Sequence, residues 1–259
     1  MTPLVSVVLV SYQTRPLLLE ALARVRATHC TEPYEVIVVD NASADGSADA
    51  VAAAFPEVRL IRSPVNVGFG QAVNLAAAQA RGEWLLLLNP DTEPIGDLVG
   101  EFVRYARREP AAGVYAGRTL GPDGRDDGRS IFGWPSLWGH VCFALGLSTF
   151  FPRSRLFNPE QLPGRDRTVP GPVPAASGCV LMIRRSLFRE VGGFSPHYFM
   201  YCEDVDFCVR ATRHGAQPTL VPGARVMHHN GAASSSVGKR VMLLRGKITF
   251  LRLHWPRWR

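Results

Sequence analysis

The sequence predicts an α/β protein: a mostly parallel central sheet flanked by helices, with an aromatic-rich insertion and a carboxy-terminal amphipathic helix. Three features carry this expectation. Short β-rich apolar runs alternate with helical stretches through the first half, an order that calls for right-handed crossovers between parallel strands. Two of those runs end in loops bearing carboxylates, at the sheet edge where open α/β folds bind ligands. At 259 residues the chain is long enough to bury a substantial core.

The elements follow in order. The opening Met1-Thr2-Pro3-Leu4-Val5-Ser6-Val7-Val8-Leu9-Val10 has no basic n-region and is too short and too β-branched for a signal peptide, so residues 5–10 are predicted as a first buried strand. Further strands are predicted over 36–39, 58–61 and 84–88, with helices over 17–26, 47–55 and 70–80 between them. Residues 40–46 and 89–91 are then loops at strand carboxyl ends, lining one crevice. Residues 121–174 are rich in Gly, Pro and Arg, interrupted by Ile131, Phe132, Trp134, Trp138, Phe143, Phe150, Phe151 and Phe157. Aromatics without clear period predict a lid or interfacial flap, or a loop pinned on the core by aromatic anchors. After it come a strand over 179–183, a turn at Val191-Gly192-Gly193-Phe194, a helix over 204–214 and a late strand over 225–228.

One catalytic domain is expected over 1–236, comprising a nucleotide-binding half (1–120), a variable flap (121–174) and an acceptor or catalytic half (175–236), with a basic tail over 237–259. From Phe207 to Arg259 there is no Asp or Glu, while Lys and Arg supply ten positive charges, more than the net +7 of the whole chain. Val237, Val241, Leu244, Ile248, Leu251 and Trp255 recur at helical spacing within that tail, flanked by Lys239, Arg240, Lys247 and Arg252. Such a helix suits an anionic membrane surface, and it equally suits packing on the core. No segment reaches the roughly 20 apolar residues that span a bilayer, so any membrane contact is expected to be peripheral. The five cysteines are odd in number and contain no C-x-x-C pair, as in a reduced intracellular protein.

The chemistry concentrates in carboxylates. Glu203-Asp204-Val205-Asp206 sits beside Tyr198, Phe199 and Tyr201. Acids in a first helical turn complement the macrodipole, and Asp206 can pair with Arg210 at i+4. Three acids among aromatics also provide a desolvated carboxylate with a raised pKa, suited to general base catalysis. Asp91, directly after the apolar run 84–88, suits a hard cation such as Mg²⁺ or Mn²⁺ if a substrate diphosphate supplies further oxygens. His228 and His229 follow a strand and could add an imidazole. Asp40 can accept hydrogen bonds from a base or ribose, or can simply cap a turn. Asn66-Val67-Gly68-Phe69-Gly70 opens a helix whose exposed amides could face a phosphate, though it lacks the G-x-G-x-x-G pattern.

The ordered set Val7-Val8-Leu9-Val10-Ser11-Tyr12, Val38-Val39-Asp40-Asn41-Ala42-Ser43, Asn66-Val67-Gly68-Phe69, Leu88-Asn89-Pro90-Asp91, Ser177-Gly178-Cys179, Gly192-Gly193-Phe194 and Tyr201-Cys202-Glu203-Asp204-Val205-Asp206 resembles bacterial family 2 glycosyltransferases, most closely the rhamnosyltransferase-like branch. The resemblance covers nearly the whole chain and is weakest over 121–174. It implies a GT-A-type, Rossmann-like fold and inverting transfer from a nucleotide-diphosphate sugar, dTDP- or UDP-linked. It further implies that Asp40 contacts the base, Asp91 binds the metal with His228 or His229, and Asp204, with Glu203 beside it, activates the acceptor. Ser11, Asn41, Asn66, Gly68, Phe69, Asn89, Gly178 and Asp206 are then the remaining substrate-binding candidates. Asn89 stands where the family's D-x-D has its first Asp, which leaves Asp91 as the single carboxylate ligand.

The expected acceptor is a glycan or polyprenyl-linked glycan of the cell envelope, met at the inner face of the cytoplasmic membrane, with no nucleic acid partner. A glycosidase would need two carboxylates flanking the sugar. Two other readings compete. A sugar-phosphate nucleotidyltransferase would want a glycine-rich phosphate loop near the first strand, and Ser11-Tyr12-Gln13-Thr14-Arg15 offers no glycine. A noncatalytic peripheral-membrane module would use the basic tail alone.

Overall fold

The computed structural model describes residues 2–228 and 236–255. Its first half alternates β1 (Val5–Ser11), α1 (Arg15–Ala27), β2 (Tyr34–Asp40), α2 (Ser47–Ala54), β3 (Arg59–Arg62), α3 (Phe69–Gln79) and β4 (Trp84–Leu88). Then follow β5 (Thr92–Ile95), α4 (Leu98–Arg108) and β6 (Val114–Leu120). The insertion carries β7 (Ile131–Phe132), α5 (Leu137–Ala144), α6 (Leu147–Phe150), a 3-10 turn (Pro159–Gln161) and β8 (Gly171–Pro172). The chain closes with β9 (Ala175–Ala176), β10 (Val180–Arg184), α7 (Arg185–Glu190), α8 (Glu203–Arg213), β11 (Thr219–His228) and α9 (Ser236–His254).

The main sheet runs β3-β2-β1-β4-β10-β6-β11-β5, with β8 added beside β11. β3, β2, β1 and β4 are parallel, as are β6 and β11, whereas β10 runs antiparallel between β4 and β6. Both faces of the central strands are covered, which explains why β4 is apolar at every position. Leu85 and Leu87 pack with Phe188, Phe194 and Phe207 on one side, and Trp84, Leu86 and Leu88 pack with Phe102 and Leu18 on the other. The elements over 92–120 were left unassigned by the sequence reading. α4 is capped by Asp97, whose side chain accepts from the Gly100 amide, and buries Leu98, Phe102, Val103 and Ala106.

The insertion is more ordered than a loop. Ser136 caps α5 by accepting from the Gly139 amide, and Trp138, Phe157 and Phe151 pack on one another. The aromatics lack a single period because they serve this small cluster rather than one helix face.

The last helix departs from expectation in which side it buries. Gly246, Lys247 and Phe250 face the protein, while Val241, Leu244 and Ile248 of the expected stripe lie exposed. Gly246 abuts the Tyr201 carbonyl so closely that a Cβ there would lie 2.5 Å from the oxygen. Lys247, read from sequence as a flanking surface charge, is instead buried in an ion pair with Glu160 of the insertion. Val237's side chain and residues 256–259 fall outside the described part.

Candidate active site

The carboxyl ends of β1, β2 and β4 lie on one edge because the strands are parallel and in register, Ser11 opposite Asp40. The antiparallel β10 begins at that same edge, with Val180 opposite Leu88. Its preceding residue is tied there by the Asn89 amide, which donates to the Cys179 carbonyl at 3.0 Å. One residue earlier, the Gly178 amide donates to Asp204 Oδ2 at 2.9 Å. Asp204 is thereby anchored to the residues that flank Asp91, although the two carboxylates are 113 positions apart in sequence. Cys179, buried between them, feels Asp91, Asp127 and Asp204 together, and burial and these charges push its thiol well up.

Asp204 sits in the first turn of α8. The turn before it is forced, with Tyr201 and Cys202 both at φ +71. Its Oδ1 accepts from the Val205 amide at 2.8 Å. Burial raises the Asp204 pKa, and the Gly178 and Val205 amides oppose that rise. Burial likewise pushes Glu203 up to about 8, with the Asp204 charge adding to it. The two carboxyls stand side by side in the same turn, so a charge on Asp204 disfavours one on Glu203. The Glu203 side chain lies against Gly70 at the start of α3, and its Oε2 has no hydrogen-bond partner among the described residues.

Asp91 is joined by His228, whose Nε2 lies 3.4 Å from Asp91 Oδ2. The opposite ring nitrogen, Nδ1, lies 2.8 Å from Asp127 Oδ2. Asp127 also accepts from the Thr119 hydroxyl and from the Arg129 amide. Burial works against its ionisation, but the bonds from His228, Thr119 and Arg129 hold its pKa below the ordinary range. Burial lowers the basicity of His228, and the two carboxylates outweigh it, raising the pKa to about 9. With a carboxylate at each ring nitrogen the imidazolium form is favoured, and a cation at Asp91 would have to displace the Nε2 proton while Asp127 kept its hold on Nδ1–H. Among the described residues no group of three or more His, Cys, Asp or Glu is placed to hold a metal ion, and Asp91 and His228 are the pair that stands together. That donor set fits a hard cation that takes most of its oxygens from diphosphate and water.

Sequence reasoning missed Asp127. The available signal was the acidic pair Asp126-Asp127 in the turn after β6, where Leu120 bridges back to Asp126. It lines an open cleft of about 550 Å³ with Asp123, Arg125 and Arg129.

The structure brings some expected ligand residues to the edge and engages others internally. Asp40 is buried, with Oδ2 accepting from the Ser43 amide and Oδ1 without a hydrogen-bond partner among the described residues. Phe69 packs its ring on Gly178, and Asn89 lies half-buried beside Asp91. Gly68 has φ +81, and a Cβ there would lie 2.1 Å from the Phe199 carbonyl oxygen. Ser11, by contrast, is buried with its hydroxyl on Thr14. Asn41 donates to Asn66 Oδ1 and accepts from the Val67 amide, so these two amides hold the loop rather than face a substrate. Asp206 is corrected most plainly. It is 2 % exposed, with Arg210 on one oxygen and His254 of α9 on the other, because α8 turns it away from Asp204's side. His229 lies outside the described residues.

Solved structures of GT-A type share this fold. GalNAc-T7 with UDP, GalNAc and Mn²⁺ superposes with a TM-score of 0.69 at 16% identity, over 98% of this chain and 48% of that one. The mannosyltransferase PcManGT of Pyrobaculum calidifontis, in complex with GDP-Man and Mn²⁺, gives 0.63 at 20% identity, over 93% and 61%. At such identities the likeness shows the fold alone.

The family model for Glycosyl transferase family 2 matches residues 6–192, and that for the N-terminal domain of galactosyltransferase matches 166–231. The N-acetylglucosaminyl-diphospho-decaprenol L-rhamnosyltransferase of Mycobacterium tuberculosis is 35% identical over 247 residues, covering 88% of this chain and 77% of that protein. The Escherichia coli K12 rhamnosyltransferase WbbL is 30% identical over 176 residues, covering 62% and 61%. The chain belongs to glycosyltransferase family 2, in its rhamnosyltransferase-like branch.

Proposed function

We propose that the protein moves a sugar, with rhamnose the first candidate, from a dTDP- or UDP-linked donor to a hydroxyl of a polyprenyl-linked glycan during cell-envelope polysaccharide synthesis. Transfer inverts the anomeric carbon and takes place at the inner face of the cytoplasmic membrane. The observation that carries this reading is the Gly178 amide on Asp204 Oδ2, which fastens that carboxyl group to the strand edge beside Asp91. The M. tuberculosis relative, named for a decaprenol-linked acceptor and a rhamnosyl group, supports the choice of substrates.

Asp204 accepts the proton of the acceptor hydroxyl as that oxygen bonds to the anomeric carbon and the bond from that carbon to the diphosphate oxygen breaks. Protonated Glu203 keeps a second negative charge away from the base. The unpartnered Asp40 oxygen receives an N–H of the nucleobase. Asp91 and His228, the latter aimed by Asp127, would hold Mg²⁺ or Mn²⁺. When bound, such a cation neutralises charge gathering on the departing diphosphate. Among the described residues no helix is long and apolar enough to cross a membrane.

The test is to incubate purified protein with a panel of dTDP-, UDP- and GDP-sugars and a polyprenyl-diphosphate-linked GlcNAc acceptor, reading products by mass spectrometry. One donor giving a single-sugar extension that disappears in Asp204→Asn is the expected result. No product from any donor, with nucleotide binding intact, would refute the acceptor assignment.

A further inference from the structure

We propose that the outer faces of the insertion and of α9 form one composite docking surface for an anionic lipid bilayer. This rests on the transferase reading above and deepens its membrane component, since it assigns the contact to two segments distant in sequence.

The two segments are locked together on their inner sides. The His140 ring of α5 lies 3.2 Å from the Lys247 carbonyl of α9, and the Lys247 ammonium pairs with Glu160 and sits 5.3 Å above the Phe143 ring. With those contacts made, the outer sides are left to solvent and carry large apolar side chains among basic ones. In the insertion Leu137, Trp138, Leu145, Phe150, Phe151 and Leu156 are exposed, Phe150 at 78% and Leu145 at 67%. Val241, Leu244 and Ile248 on α9, and Trp255 just beyond its end, are exposed in the same way. Isolated exposed apolar residues are ordinary, but this many large ones on two elements packed together mark an interaction surface.

Charge decides the occupant. No Asp or Glu occurs over 128–159 or over 207–259, while Arg129, Arg153 and Arg155 fall in the first stretch and Lys239, Arg240, Arg245 and Arg252 in the second. Glu160, which ends the first stretch, is neutralised by Lys247. A second copy of this chain would bring like charges together across an isologous contact, which disfavours a dimer. Anionic headgroups complement the arginines and lysines, and the aromatic and aliphatic side chains enter the acyl boundary, with Trp138 and Trp255 suited to the headgroup level.

Flotation of the full-length protein with vesicles of phosphatidylcholine alone, and of phosphatidylcholine mixed with phosphatidylglycerol, tests this. The wild type is expected to float with the anionic vesicles only, and less so at high salt. Leu145→Ser with Phe150→Ser in the insertion, and separately Leu244→Gln with Ile248→Gln on α9, should each lower bound protein by roughly tenfold or more. Nucleotide binding by calorimetry, unchanged in both pairs, shows that they fold. A wild type that fails to float, or two pairs that float like the wild type, overturns the proposal. Self-association that both pairs abolish, without flotation, also overturns it in favour of a dimer face. Flotation without binding of any nucleotide would leave this surface standing and sink the transferase reading instead.

Discussion

Asp127 Oδ2 lies 2.8 Å from Nδ1 of His228, a contact across 101 residues of sequence that aims the opposite ring nitrogen at Asp91. The strand β11 delivers the histidine and the turn after β6 delivers the carboxylate, and the two strands are parallel neighbours. Asp127 is itself steadied by the Thr119 hydroxyl and the Arg129 amide, so it offers the histidine a fixed acceptor.

The first prediction concerns that contact. Asp127→Ala should weaken Mn²⁺-dependent binding of the donor nucleotide by about 10–100-fold. Asp127→Asn should lose less, because an amide oxygen can still accept from Nδ1–H. Calorimetric titration with and without Mn²⁺ reads both, and equal metal-dependent affinity in all three proteins would remove Asp127 from the site.

Asp204→Asn should lower turnover by about 10²–10⁴-fold while donor affinity stays within about twofold. In the wild type, because burial raises the Asp204 pKa, the acid limb of kcat/KM should lie above the ordinary aspartate range. Loss of donor affinity in parallel with turnover would assign Asp204 to binding.

Glu203 predicts a pH-dependent stability. Its pKa is about 4.5 unfolded and about 8 folded, so the folded state binds the extra proton between those values. Stability from this group is complete below pH 4.5 and is lost as pH rises toward 8. Glu203→Gln should therefore match the wild type near pH 4.5 and exceed it at pH 8, by on the order of 2–4 kcal/mol. Urea unfolding at both pH values measures the difference, and a constant offset would contradict it.

Gly68→Ala should destabilise the fold by about 2 kcal/mol or more, since the position combines positive φ with a backbone oxygen in the space of the new Cβ. The Phe199 carbonyl also accepts from the Phe69 amide, so the strain passes to the turn that presents Asp204. Chemical denaturation and turnover should both fall. Unchanged stability would show that the turn yields without cost.

Much of the architecture was legible because apolar period is local. The run Trp84–Leu88 ends as a strand where its composition says it should, and the alternation before it calls for parallel pairing. α4 was equally amphipathic and was passed over, and the insertion hid two helices because its aromatics pack among themselves. Asp91 and Asp204 could be singled out by type and setting. Asp206, one helical step away from the same cluster, could not be separated from them by sequence, because only the packing of α9 shows that His254 occupies its second oxygen.

The sequence by itself determined the alternation of strands and helices, the acidic loops at the strand ends and the family, since these depend on neighbours within a few residues or on motifs in order. Tertiary structure alone decided that Gly178 holds Asp204, that Asp127 orients His228, and that Lys247 turns inward to Glu160. Those assignments pair groups 26, 101 and 87 positions apart. A hydrogen bond is a short-range, directional contact, and which donor meets which acceptor across such distances is settled only when the sheet and its covering helices have closed.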